Sequence, residues 1–105
     1  MPTYLVERVI PPAFDIEDPA VVALHSRWAA DAYQATGIVW LGGVATDRGN
    51  MFSVVVADGV DAIKRYCASL GIAEAEFKVS AVKAVIGPHV AMARDDPRYR
   101  PPRTL

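Results

Sequence analysis

The sequence predicts an α+β sandwich, with one four-stranded antiparallel sheet covered on a single face by two helices. Three observations carry this prediction. A hairpin pattern stands at the centre, Gly37 to Ala57 (GIVWLGGVATDRGNMFSVVVA), where two apolar, β-branched runs flank the polar segment Thr46-Asp47-Arg48-Gly49-Asn50. A helical pattern lies on each side of the hairpin. Beyond each helix stands one further strand pattern.

Tyr4 to Ile10 (YLVERVI) is the first strand, rich in β-branched residues and stopped by Pro11-Pro12. Alternation puts Tyr4, Val6, Arg8 and Ile10 on one face and Leu5, Glu7 and Val9 on the other, so each face carries a charge. After a loop, Asp18 caps a helix that begins with Pro19, whose missing N–H costs nothing at that position. The helix runs to about Thr36 and stops at Gly37. Its expected apolar stripe is Val21, Leu24, Trp28 and Ala32, with Val22, His25 and Ala29 beside it. Arg27 and Asp31 are placed to pair on the solvent side.

In the hairpin, Val39, Leu41, Gly43 and Ala45 alternate with Trp40, Gly42, Val44 and Thr46. Glycine in a strand weakens it, so Gly42-Gly43 marks a bulge or a close approach to the backbone. On the return strand Phe52, Val54 and Val56 share one face, and Met51, Ser53 and Val55 the other. Asp58 is the expected cap of the second helix, with Asp61 favoured in its first turn by the helix dipole. Val60, Ile63, Cys67 and Leu70 form its stripe, and Gly71 ends it. Phe77 to Ile86 is the last strand, closed by Gly87-Pro88. The βαββαβ order is that of a ferredoxin-like fold. Two helices cover one face of such a sheet, and the apolar content of the other face predicts a homodimer with the two sheets paired.

Residues 1–90 form the α+β domain, and 91–105 a Pro/Arg-rich arm that either stays flexible or wraps a partner subunit. A length of 105 residues suits one domain, and 52% hydrophobic residues leave a small surplus for an interface. A net charge of −1 gives no general attraction to nucleic acid or anionic membrane. There is no apolar run of bilayer-spanning length and no leader pattern, so the chain reads as soluble and cytoplasmic. Cys67 is the single cysteine, which excludes an internal disulfide, and it reads as a core residue.

Tyr4-Leu5-Val6-Glu7-Arg8, the Gly37-x-x-Trp40 entry to the hairpin and Leu70-Gly71-Ile72 before the last strand resemble a short bacterial domain family of mostly unknown function. One member of that family is a nickel-binding protein with a dimeric ferredoxin-like fold. The resemblance spans about residues 3–87 and implies a divalent transition metal such as nickel as cofactor or ligand. The chain departs from the family pattern after Trp40, where Leu41-Gly42-Gly43 stands, and at the end of the third strand, where no acidic residue occurs. More distantly, the architecture resembles the dimeric α+β barrel group of cofactor-free monooxygenases, isomerases and polyketide cyclases. That likeness implies a hydrophobic ligand between sheet and helices, with a histidine or tyrosine near the mouth.

The candidate chemistry centres on His25, which beside Trp28 and Tyr33 can act as a general base or, equally simply, sit bonded at a helix flank. Glu7, among apolar neighbours, is a candidate acid or base, or else one half of an ion pair with Lys83 or Arg8 or a residue exposed at the strand end. A metal site would need His25, His89 and Glu7 together, since no HxxxH, HxH or CxxC occurs. The expected ligand pocket is lined by Tyr4, Leu24, His25, Trp28, Tyr33, Trp40 and Phe52, with Gly42 and Gly43 admitting a close approach. Two functions follow from this. One is a small dimeric binding protein for an apolar molecule or a divalent metal. The other is a cofactor-independent isomerase, cyclase or monooxygenase that uses His25 as base, assisted by Glu7 or Tyr33.

Overall fold

The computed structural model describes residues 1–102. Strands β1 (Thr3–Val9), β2 (Val39–Ala45), β3 (Asn50–Val56) and β4 (Phe77–Ala81) form one sheet in the order β2-β3-β1-β4, and every neighbouring pair is antiparallel. Helix α1 (Pro19–Ala35) joins β1 to β2, and α2 (Val60–Ser69) joins β3 to the single-turn 3₁₀ helix Glu74–Glu76 that leads into β4. This is the ferredoxin-like α+β arrangement. The hairpin turn forms as expected: Thr46 N–H donates to the Asn50 carbonyl at 2.9 Å, and Gly49 takes a φ of +87°.

The core lies between the helices and one face of the sheet. Tyr4, Val6 and Val55 contribute from the strands, Ala29 and Tyr33 from α1, and Ile63, Tyr66 and Cys67 from α2. The register places Tyr4 opposite Val55, Val6 opposite Ser53 and Arg8 opposite Met51, so these six share the helix-covered face. Leu5, Glu7, Val9, Phe52, Val54 and Val56 lie on the uncovered face, as alternation requires.

Four local expectations need correction. The buried face of α1 centres on Ala29 and Tyr33, not on Leu24 and Trp28, which are 73% and 48% exposed. The helix has rotated to bring its small alanine and the flat tyrosine ring against the sheet. In β2 the register shifts between Trp40 and Gly42, with Gly42 at φ +125°, so Leu41 is the extra residue of a bulge. Trp40, Gly43 and Ala45 then face the helices, opposite Val55, Ser53 and Met51, and the simple alternation predicted for this strand breaks at Leu41. Gly59 rather than Asp58 occupies the α2 cap position, and no side chain bonds there. Finally, β4 stops at Ala81 and does not reach Ile86. Ala81 lies opposite Tyr4 and Val82 N–H donates to the Thr3 carbonyl, so the antiparallel partner strand has run out.

From there the chain leaves the sheet, and Val85 and Ile86 are 52% and 95% exposed. Residues 91–102 contain no helix or strand. They are held by local contacts, such as the Arg98–Asp96 pair at 2.8 Å. The radius of gyration is 16.9 Å, against about 13 Å for a compact chain of this size. No helix among the described residues is long and apolar enough to cross a membrane.

Candidate functional site

A cavity of about 300 Å³ opens between the sheet and α1. It exists because the facing positions are small. Gly43, Ala45 and Ser53 stand on the sheet, with Ser26 and Ala29 opposite on α1, and none has the volume to close the gap. The bulge at Leu41 matters here, because it turns Gly43 and Ala45 inward. A Cβ on Gly43 would run into the carbonyl oxygen of Phe52, so only glycine lets the two strands approach in this way. Phe14 and Ile16, from the loop before α1, close one end, and half-exposed Trp28 stands at the rim.

The walls are aromatic. Trp40, Tyr33 and Tyr66 form a column, with ring centroids 5.9 Å apart for the first pair and 4.2 Å for the second. His25 lies under Phe14, edge to face at 4.6 Å, and beside Trp28 at 5.8 Å. Among the described residues, Arg8, from β1, is the only Asp, Glu, Lys or Arg side chain on the wall. Its charge reaches His25, Tyr33, Tyr66 and Cys67.

These surroundings set the protonation states. Burial, followed by the Arg8 charge, pushes the His25 imidazole below its ordinary value, which favours the neutral ring. Burial raises the Tyr33 phenol, partly opposed by hydrogen bonding to Ser53, and it raises Tyr66 and the Cys67 thiol as well. Near neutral pH the wall therefore offers a neutral imidazole, two phenol O–H groups and one guanidinium. The indole Nε1 of Trp40 is buried and has no hydrogen-bond partner among the described residues.

Of the residues expected to form the site, His25, Trp28, Tyr33, Trp40 and Gly43 line this cavity, and Phe52 borders it although the register sets it on the uncovered face. The others do not. Tyr4 is a core residue of β1, Leu24 points to solvent, and Gly42 serves the bulge without reaching the wall. Glu7 lies on the uncovered sheet face, where its Oε2 accepts from Asn50 Nδ2 at 2.8 Å, so it cannot assist His25. His89 sits in the 3₁₀ turn Pro88–Val90 beyond the sheet, its ring against Gly87. The expected metal ligands Glu7, His25 and His89 are thus dispersed, and no three His, Cys, Asp or Glu side chains gather among the described residues. Arg8, Ser53 and Tyr66 are additions to the expected set. The signal for Arg8 was present, because strand alternation already placed it on the face of Tyr4 and Val6.

Fold and cavity together define a ferredoxin-like α+β protein with a ligand-sized hollow under its first helix. The chain matches no protein-family model and no curated protein.

Proposed function

We propose that this protein binds a small, largely apolar molecule in the cavity beneath α1. The observation that carries this reading is the hollow itself. Its volume of about 300 Å³ reaches the range of roughly 300–1,000 Å³ typical of small-molecule sites. Its wall combines aromatic rings with a few polar groups, the pattern by which such sites gain affinity from burial and orientation from hydrogen bonds. Fluorescence titration with the uncharged probe N-phenylnaphthylamine tests it. Binding is expected in the wild type and should be lost when Ala29→Phe or Ser53→Leu fills the space. A probe that fails to bind, or binds equally well to the filled variants, would overturn the reading.

A second reading is a cofactor-independent isomerase, cyclase or monooxygenase with His25 as base. The supporting observation is a neutral imidazole, able to accept a proton, on the same wall as the Tyr33 phenol and the Arg8 guanidinium. Deuterium exchange into enolisable aromatic ketones checks it. Exchange should be accelerated by the wild type and not by His25→Gln, and equal rates in both proteins would remove the enzyme.

A homodimer through the uncovered sheet face is also proposed. That face exposes Val9, Val39 and Val44, a larger apolar surface than a solvated sheet needs. Val85 and Ile86 of the departing chain add further apolar surface. Sedimentation at micromolar concentration should show a dimer, and a monomer would contradict the pairing.

A further inference from the structure

We propose that the molecule held in this cavity carries an anionic group, a carboxylate on an aromatic or aliphatic body, and that Arg8 is the residue that receives it. The proposal deepens the binding function above and rests on it. A guanidinium is charged at any pH the protein meets and presents five N–H donors and no acceptor. Placing it beside apolar surface is costly unless something accepts those donors. Among the described residues, the cavity wall contains no carboxylate and no acidic side chain lies within ion-pair distance of Arg8.

The rest of the wall has the same bias. Tyr33, Tyr66 and Ser53 bring hydroxyl groups. A site rich in donors and lacking any anionic acceptor selects a ligand that supplies the acceptors. An organic cation would meet Arg8 as a like charge. A neutral hydrocarbon would cover the half-exposed Arg8 and offer its donors no acceptor. A planar carboxylate can take two parallel N–H bonds from the guanidinium while its apolar body stacks among Trp28, Tyr33 and Trp40.

The test compares two probes of one shape that differ in one charge, naphthoate and naphthamide, by calorimetry or by displacement of N-phenylnaphthylamine. Wild-type protein should bind naphthoate at least about tenfold more tightly, the scale of a hydrogen bond to a charged group. In Arg8→Met that preference should fall to near unity, and Arg8→Lys should keep part of it. Equal affinities in the wild type, or a preference that survives Arg8→Met, would overturn the proposal while leaving the apolar cavity in place. Failure of N-phenylnaphthylamine to bind would instead remove the cavity reading itself. The wild-type comparison needs no variant, so it decides the matter even if Arg8→Met does not fold.

Discussion

The rings of Tyr33 and Tyr66 stack with centroids 4.2 Å apart and planes inclined by 14°. One comes from α1 and the other from α2, so this contact joins the two helices where they meet over the sheet. Both side chains are buried, and both also line the cavity. The floor of the proposed site is therefore part of the hydrophobic core. Its geometry is fixed by the same packing that holds the fold together.

Truncating this contact should cost stability first and binding second. Tyr66→Ala removes a buried ring and is expected to destabilise by about 3–5 kcal/mol, the range for large aromatic truncations. Tyr66→Phe keeps the stack and should cost less than about 1.5 kcal/mol, the scale of one hydrogen bond. Urea unfolding measures both. Similar losses for the two variants would mean that the hydroxyl, not the stacking, is what α2 needs.

The His25 environment predicts a dependence on acid. Its folded-state value lies below the ordinary 6.5, chiefly through burial and then through Arg8. The fold thus prefers the neutral ring. Stability from this group is fully present above about pH 6.5 and is lost as pH falls through the lowered folded value. The proton resonances of His25 should titrate with a midpoint below 6.5. Arg8→Met should move that midpoint upward without restoring it fully, because burial is the larger cause. A wild-type midpoint at or above 6.5 would contradict the placement of His25 under Phe14.

Much of this fold was legible in the chain, and the reasons are local. Asp18-Pro19 states where α1 starts, and the Asp18 side chain indeed accepts from Ala20 N–H at 2.9 Å. Thr46 to Asn50 states where the hairpin turns. The candidate site was only half legible. Periodicity assigns the apolar residues of a helix to a broad arc, but the rotation within that arc is decided by packing, and here Leu24 lost its place to Tyr33. Glu7 and Arg8 looked alike as charges within an apolar strand. The pleat separates them, one to the uncovered face and one to the cavity, and only the position of the helices says which face holds the site. The end of β4 depended on where β1 begins, a relation between residues almost eighty positions apart.

On the uncovered face, Asn50 Nδ2 donates to Glu7 Oε2 at 2.8 Å and links β3 to β1 near the hairpin turn. Hydrogen bonds to charged acceptors contribute about 1.5–3 kcal/mol, and this half-buried one belongs at the low end. Asn50→Ala should lower stability by about that amount, and Asn50→Asp by more, since it sets two carboxylates side by side. Chemical unfolding at neutral pH orders the three proteins. Asn50→Asp as stable as the wild type would show that Glu7 turns away to solvent.

The two glycines of β2 should respond differently to a methyl group. Gly42 sits at φ +125° with open space where a Cβ would go, so Gly42→Ala strains the backbone but touches nothing. A backbone conformation of this kind costs about 1–3 kcal/mol for other residues. Gly43 has the opposite problem. Its Cβ would meet the Phe52 carbonyl oxygen, which belongs to the paired strand and cannot swing aside as a side chain would. Gly43→Ala must therefore push β2 away from β3 at the cavity wall. Both variants should be less stable than the wild type, but Gly43→Ala alone should also change the affinity for N-phenylnaphthylamine, because Gly43 lines the cavity and Gly42 does not. Titrating the probe against each variant, at a temperature where both remain folded, separates the effects. An affinity change in Gly42→Ala with none in Gly43→Ala would show that the bulge, rather than the inward-facing glycine, shapes the site.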